Sequence, residues 1–116
     1  MLVDDLKFIK LIERKVLEES GHQIVADASN GIEAIRLYQE NKPDIVLMDI
    51  TMPELNGLEA LKKILELDAL AKVIICSALT HEKMLYQAVK SGAKEYIFKP
   101  FTTERLISTI NKVLQG

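Results

Sequence analysis

Two hydrophobic periods alternate along the chain. Short apolar, β-branched runs stand at 1–3 (MLV), 23–27 (QIVAD), 44–49 (DIVLMD), 72–77 (KVIICS) and 95–99 (EYIFK). Between them lie longer stretches in which apolar residues return every three or four positions, the spacing that puts them on one helical face. The first stretch carries Phe8, Ile12 and Val16, widened by Ile9 and Leu17. The second, about 31–40, carries Ile35 and Tyr38, and the third, about 57–67, carries Leu58, Leu61 and Leu65. The fourth, about 82–90, has Leu85, Ala88 and Val89, and the last, about 103–115, has Leu106, Ile110 and Val113. Turn and cap residues fall at the joints: Ser29-Asn30-Gly31 before the second helix, Asn41 to Asp44 after it, Gly21 and Gly92 after the first and fourth, Thr102 or Thr103 before the last.

Strands alternating with helices predict an α/β fold, a parallel sheet covered by helices on both faces. Right-handed crossovers give the doubly wound, flavodoxin-like strand order 2-1-3-4-5. One element is out of proportion. Only three residues precede Asp4, against about 5–6 in an ordinary strand. In this order the first strand lies near the middle of the sheet, so a shortened first strand leaves its neighbours partly unpaired. Either the terminus is truncated or another segment, from a second chain, completes the sheet. No linker or repeat interrupts the alternation, and residues 1–116 read as a single domain.

Ligands of open parallel sheets gather beyond the carboxyl ends of the strands. The first strand ends in Asp4-Asp5, the third in Asp49, the fourth in Ser77 and the fifth in Lys99. Asp27 ends an edge strand and is set aside. Clustered carboxylates form a hard oxygen site suited to Mg²⁺. A carboxylate can also act as a nucleophile and form an aspartyl phosphate. Phosphoryl transfer needs positive charge and hydrogen bonds on the phosphoryl oxygens, which the metal, Lys99 and Ser77 would supply. Each residue has an ordinary reading by itself: helix caps for Asp4 and Asp5, a turn residue for Asp49, a strand-end hydroxyl for Ser77, a solvated lysine for Lys99. Their joint occurrence on four strand ends favours the chemical reading.

Composition narrows the classes further. Fifteen basic against 17 acidic residues, a net charge of −2, give no electrostatic case for nucleic acid. No apolar run approaches the roughly 20 residues of a membrane helix, and the first residues do not form a signal peptide. A cytoplasmic protein is expected. The single cysteine, Cys76, lies in an apolar run and reads as a buried small hydrophobe. His22 and His81 read as solvated, and a zinc site is not expected. There is no P-loop, redox CxxC or nucleophile elbow.

The chain resembles a response-regulator receiver domain of the CheY-like family. The resemblance rests on VDD (3–5), PDIVLMDITMPELNG (43–57), CSA (76–78) and KPF (99–101), and covers nearly the whole chain. Within the family the stand-alone chemotaxis type is most similar. The resemblance implies that Asp49 accepts a phosphoryl group from the phosphohistidine of a histidine kinase. It implies that Asp5, Asp49 and the backbone carbonyl of Thr51 bind Mg²⁺ directly and that Asp4 acts through a metal-bound water. Lys99 is expected to contact Asp49 and then the phosphoryl group, Ser77 and Tyr96 to act as the switch pair, and the Lys99–Pro100 bond to be cis. The downstream partner would be a flagellar motor switch component or another target protein, met by the surface of the fourth helix, fifth strand and fifth helix. Neither nucleic acid nor membrane is contacted directly.

Three alternatives stand beside this reading. The chain is a receiver cut from a longer, for instance transcriptional, regulator; or it is a truncated variant with impaired phosphorylation. The third is an enzyme using an aspartate nucleophile. Such an enzyme needs a second carboxylate, typically two residues on, where this chain has Thr51, so no enzymatic activity is expected.

Overall fold

A computed structural model describes residues 1–50, 52 and 55–116, with Leu79 described in its backbone alone. The strands are β1 (Leu2–Val3), β2 (Asp27–Ala28), β3 (Val46–Asp49), β4 (Val73–Ala78) and β5 (Glu95–Lys99). The helices are α1 (Lys7–Glu19), α2 (Gly31–Asn41), α3 (Gly57–Leu67), α4 (Glu82–Ser91) and α5 (Thr103–Gln115), with a 3₁₀ turn at Leu79–His81 before α4. All pairings are parallel and the order is β2-β1-β3-β4-β5, the flavodoxin-like order. One core joins the sheet to α2, α3 and α4 through Ala34, Tyr38, Leu61, Ile64 and Ala88. The other joins it to α1 and α5 through Leu17, Leu106, Ile110 and Val113. β3 and β4 are buried along most of their length, as strands covered on both faces must be.

The expected strand at 23–27 shrinks to Asp27–Ala28. Strand structure is reciprocal: a residue becomes part of a sheet only where a neighbour offers its backbone. β1 offers two residues, with Leu2 beside Asp27 and Val3 beside Ala28; the Ala26 carbonyl still accepts from the Leu2 N–H at 3.1 Å, but residues 23–25 have no backbone hydrogen bond to β1. The short first strand thus shortens the second.

The α1 stripe also differs from expectation. Phe8 is 70% and Ile12 41% exposed, whereas Lys10, Glu13 and Leu17 face inward. The cause is polar. Lys10 Nζ bonds Asp27 Oδ1 at 2.5 Å, Ser29 Oγ at 3.0 Å and the Ala28 carbonyl at 3.2 Å. These bonds turn the 10/13/17 face toward the end of β2.

Two Asn-Gly pairs start α2 and α3. Asn30 Oδ1 accepts from the Glu33 N–H at 2.8 Å and Asn56 Oδ1 from the Glu59 N–H at 2.9 Å, the side-chain caps these helix starts need. The glycines serve close approach. A Cβ on Gly57 would stand 2.2 Å from the Asp49 carbonyl oxygen and 2.7 Å from Ile50 Cα. Both obstacles are backbone, so nothing can swing aside. Gly57→Ala is expected to cost about 3 kcal/mol or more in chemical denaturation. Gly21→Ala, where φ is +90° and the space around the Cβ is open, should cost only about 1 kcal/mol.

Candidate functional site

The carboxyl ends of β1, β3, β4 and β5 meet at one edge of the sheet. One carboxylate oxygen from each of Asp4, Asp5 and Asp49 lies within 4.8 Å of the others. Lys99, at the end of β5, reaches across: its Nζ is 2.8 Å from Asp4 Oδ2 and 3.5 Å from Asp49 Oδ1. Asp4 is buried, Asp49 is nearly so with 9% exposed, and Asp5 is exposed. Burial works against the Lys99 ammonium, but its hydrogen bond to Asp4 and the charges of Asp49 and Asp4 prevail, and its pKa lies above the ordinary lysine value.

The expectation placed Lys99 on Asp49, and the closer partner is Asp4. Asp4 is otherwise held by the Leu6 N–H, which donates to its Oδ1 at 2.9 Å. Ser77 is buried and its hydroxyl donates to the Ala78 carbonyl at 2.9 Å. Tyr96 is half-buried, its ring edge-on to Phe98 with centroids 5.3 Å apart. The Lys99–Pro100 peptide is cis. Thr51, expected to offer a backbone carbonyl, lies outside the described residues. Asp27 is engaged by Lys10 and Arg14, away from the acidic cluster.

Three carboxylates against one ammonium leave the cluster short of positive charge. Hard oxygen donors this close together suit a small divalent cation, and Mg²⁺ fits the set. Asp5 has the most open carboxylate of the three.

A profile of the response regulator receiver domain matches residues 1–111. The chain belongs to the response-regulator receiver family. It is 44% identical to the chemotaxis protein CheY of Thermotoga maritima, over 97% of this chain and 94% of that protein. It is also 44% identical to CheY of Bacillus subtilis, over 98% of this chain and 95% of that protein. Among solved structures, the CheX–CheY–BeF3–Mg²⁺ complex of Borrelia burgdorferi matches with a TM-score of 0.91 at 34% identity, covering 97% of this chain and 85% of that one. Two-component signalling by a CheY-like receiver is therefore the class of this protein. No described helix is long and apolar enough to cross a membrane.

Beneath the receiver's acidic cluster lies a residue the sequence reading passed over. Glu13 is 2% exposed. Burial first, then the charges of Asp4, Asp49 and Asp27, push its carboxyl up to about 8, with Lys99 opposing. The available signal was the i, i+3, i+7 spacing of Lys10, Glu13 and Leu17, a second possible face of α1. His81 corrects a further expectation: it is half-buried, and its Nδ1 is shut off from solvent with no partner among the described residues. Cys76 is buried as expected, and burial raises its thiol pKa well above normal.

Glu13 sets a stability prediction. Its folded pKa is raised, so its contribution is fully present below the unfolded value of 4.5 and is lost as pH rises through about 8. Glu13→Leu should therefore gain on the natural chain as pH goes from 5 to 9, by up to about 4 kcal/mol. Urea denaturation across that range measures it. Parallel pH profiles for the two proteins would show that Glu13 is not buried as a neutral acid.

Proposed function

We propose that this receiver accepts a phosphoryl group on Asp49 in a Mg²⁺-dependent reaction and then switches a protein-binding surface, in chemotaxis. The observation that carries the reading is the meeting of Asp4, Asp5 and Asp49 within 4.8 Å beside the Lys99 ammonium. The solved CheY relative with BeF3 and Mg²⁺ supports the metal.

The donor is the phosphohistidine of a histidine kinase. An Asp49 carboxylate oxygen attacks phosphorus, the P–O bond forms, the P–N bond breaks, and the freed imidazole takes a proton from solvent. Asp5 and Asp49, with the Thr51 carbonyl and with Asp4 through a water, would hold Mg²⁺, which would supply positive charge to the phosphoryl oxygens. Lys99 meets the phosphoryl group from the β5 side, moving from Asp4 and Asp49. Exposed Leu6, Phe8, Leu11 and Ile12 offer a phosphodonor an apolar landing beside Asp5.

The same reading gives the output. Ser77 turns its hydroxyl from the Ala78 carbonyl to the phosphoryl group, and Tyr96 moves into the space behind it. The surface of α4, β5 and α5, which carries Tyr86 and Lys90 in cation–π contact, is then biased between two states. A flagellar motor switch protein is the target that the CheY likeness favours.

Intact mass after incubation with acetyl phosphate and Mg²⁺ tests the acceptor. One phosphoryl group should be gained by the natural chain, and none by Asp49→Asn or by the natural chain in excess EDTA. An unmodified natural chain that is demonstrably folded, or an Asp49→Asn variant that still gains the group, would remove Asp49 from the role.

A further inference from the structure

A ring of hydrogen bonds closes around the connection that carries Asp5. The Asp4 N–H donates to the Ala28 carbonyl at 3.1 Å. Asp4 Oδ1 accepts from the Leu6 N–H at 2.9 Å. The Leu6 carbonyl accepts from the Lys10 N–H at 3.3 Å. The Lys10 ammonium then returns to the Ala28 carbonyl at 3.2 Å. One oxygen of a fully buried residue thus pins both ends of the passage from β1 into α1. Asp5 sits on this ring between Asp4 and Leu6, with its side chain exposed. No hydrogen bond or ion pair to a described residue holds the Asp5 carboxylate. Among the described residues, its place is set by the backbone around it.

The bond made by Lys10 is the costly one. An ammonium is admitted to the interior only when its donors are filled. Lys10 is 4% exposed, and its three donors go to Asp27 Oδ1, Ser29 Oγ and the Ala28 carbonyl. The acceptors are braced in turn. Arg14 Nη2 lies 3.5 Å from Asp27 Oδ2, and the Ser29 N–H donates to Glu33 Oε1 at 2.7 Å. Asp27 already has a cation in Arg14, so it does not require a buried one. What the burial of Lys10 adds is a bond to the main-chain oxygen that also holds Asp4.

We propose that Lys10 is a positioning residue for the metal: it fixes α1 against the end of β2 so that Asp5 stands ready for Mg²⁺ beside Asp4 and Asp49. The inference rests on the Mg²⁺ reading above. Lys10 bonds Asp27, Ala28 and Ser29, none of them in the acidic cluster, so it acts through the loop. A carboxylate already held in place binds without first having to be ordered. Groups that orient metal ligands in this way typically govern about 10–100-fold in affinity. The sign separates this role from a plain charge effect. Removing a cation from the neighbourhood of the acids would by itself strengthen cation binding, whereas releasing the loop weakens it.

Titration of the folded chain with Mg²⁺ at constant ionic strength, followed by amide chemical shifts, tests the proposal. Lys10→Met keeps the apolar stem and removes the ammonium, and Asp27 retains Arg14. Its Kd for Mg²⁺ should rise about tenfold. The Mg²⁺ concentration for half-maximal phosphorylation by acetyl phosphate should rise by the same factor, and the rate at saturating Mg²⁺ should change far less. Ser29→Ala removes one acceptor without changing charge and should raise the Kd by a smaller factor. A folded Lys10→Met variant whose Kd equals the natural one, or is tighter, would overturn the proposal, and so would an effect confined to urea stability. If Lys10→Met does not fold, an unchanged Kd in Ser29→Ala overturns it instead. A natural chain with no saturable Mg²⁺ shift would remove the metal reading itself, and this inference with it.

Discussion

The parallel pairing of two residues, Leu2 and Val3, between β2 and β3 is the constraint on which the rest of this receiver depends. Val3 lies beside Met48, and that register brings Asp4 and Asp5 to the same level as Asp49. Parallel strands share one carboxyl edge, so the three carboxylates meet where chain connectivity alone would never bring them together. Their repulsion must be met within the fold. Lys99 does this from β5, two strands beyond β3, and bonds Asp4 more closely than Asp49. β1 is thus held at the site by an ion pair as well as by its ladder.

Much of this was legible in the sequence, and the misses share a cause. β3, β4 and β5 appear where their apolar runs lie, because strands covered on both faces show their burial in composition. The strand order followed from the alternation of periods. β2 was overestimated because the QIVAD run has strand composition, but strand structure is a property of pairs and β1 could pair with only two of its residues. The five residues on the four strand ends were readable because topology places them. Which partner Lys99 prefers was not, since side-chain geometry decides that.

α1 shows a different limit. Phe8, Ile12 and Val16 form a plausible apolar face, and Lys10, Glu13 and Leu17 a face that composition would leave in water. The second is inside. A buried lysine is tolerable only with full hydrogen bonding, and Lys10 finds three acceptors in Asp27, Ala28 and Ser29. None is near it in sequence, so no window along α1 could have shown the arrangement. The Ala28 carbonyl also accepts the Asp4 N–H. Lys10 therefore ties α1 to the point where β2 supports the acidic pair, reinforcing a β1–β2 ladder that is only two residues long.

Glu13 completes the electrostatic argument. A fourth ionised carboxylate beneath Asp4 and Asp49 would deepen the charge imbalance where Lys99 is the near ammonium. Burial removes that difficulty by keeping Glu13 protonated up to about pH 8. As a neutral acid it fills a position facing the sheet without adding charge to the cluster. Lys10, Glu13 and Lys99 thus share one logic. Charged residue types are admitted to the interior under the carboxyl edge because each is either neutral or fully partnered there. The surplus negative charge stays on Asp4, Asp5 and Asp49, and the exposed Asp5 leaves that surplus open to a cation from solvent.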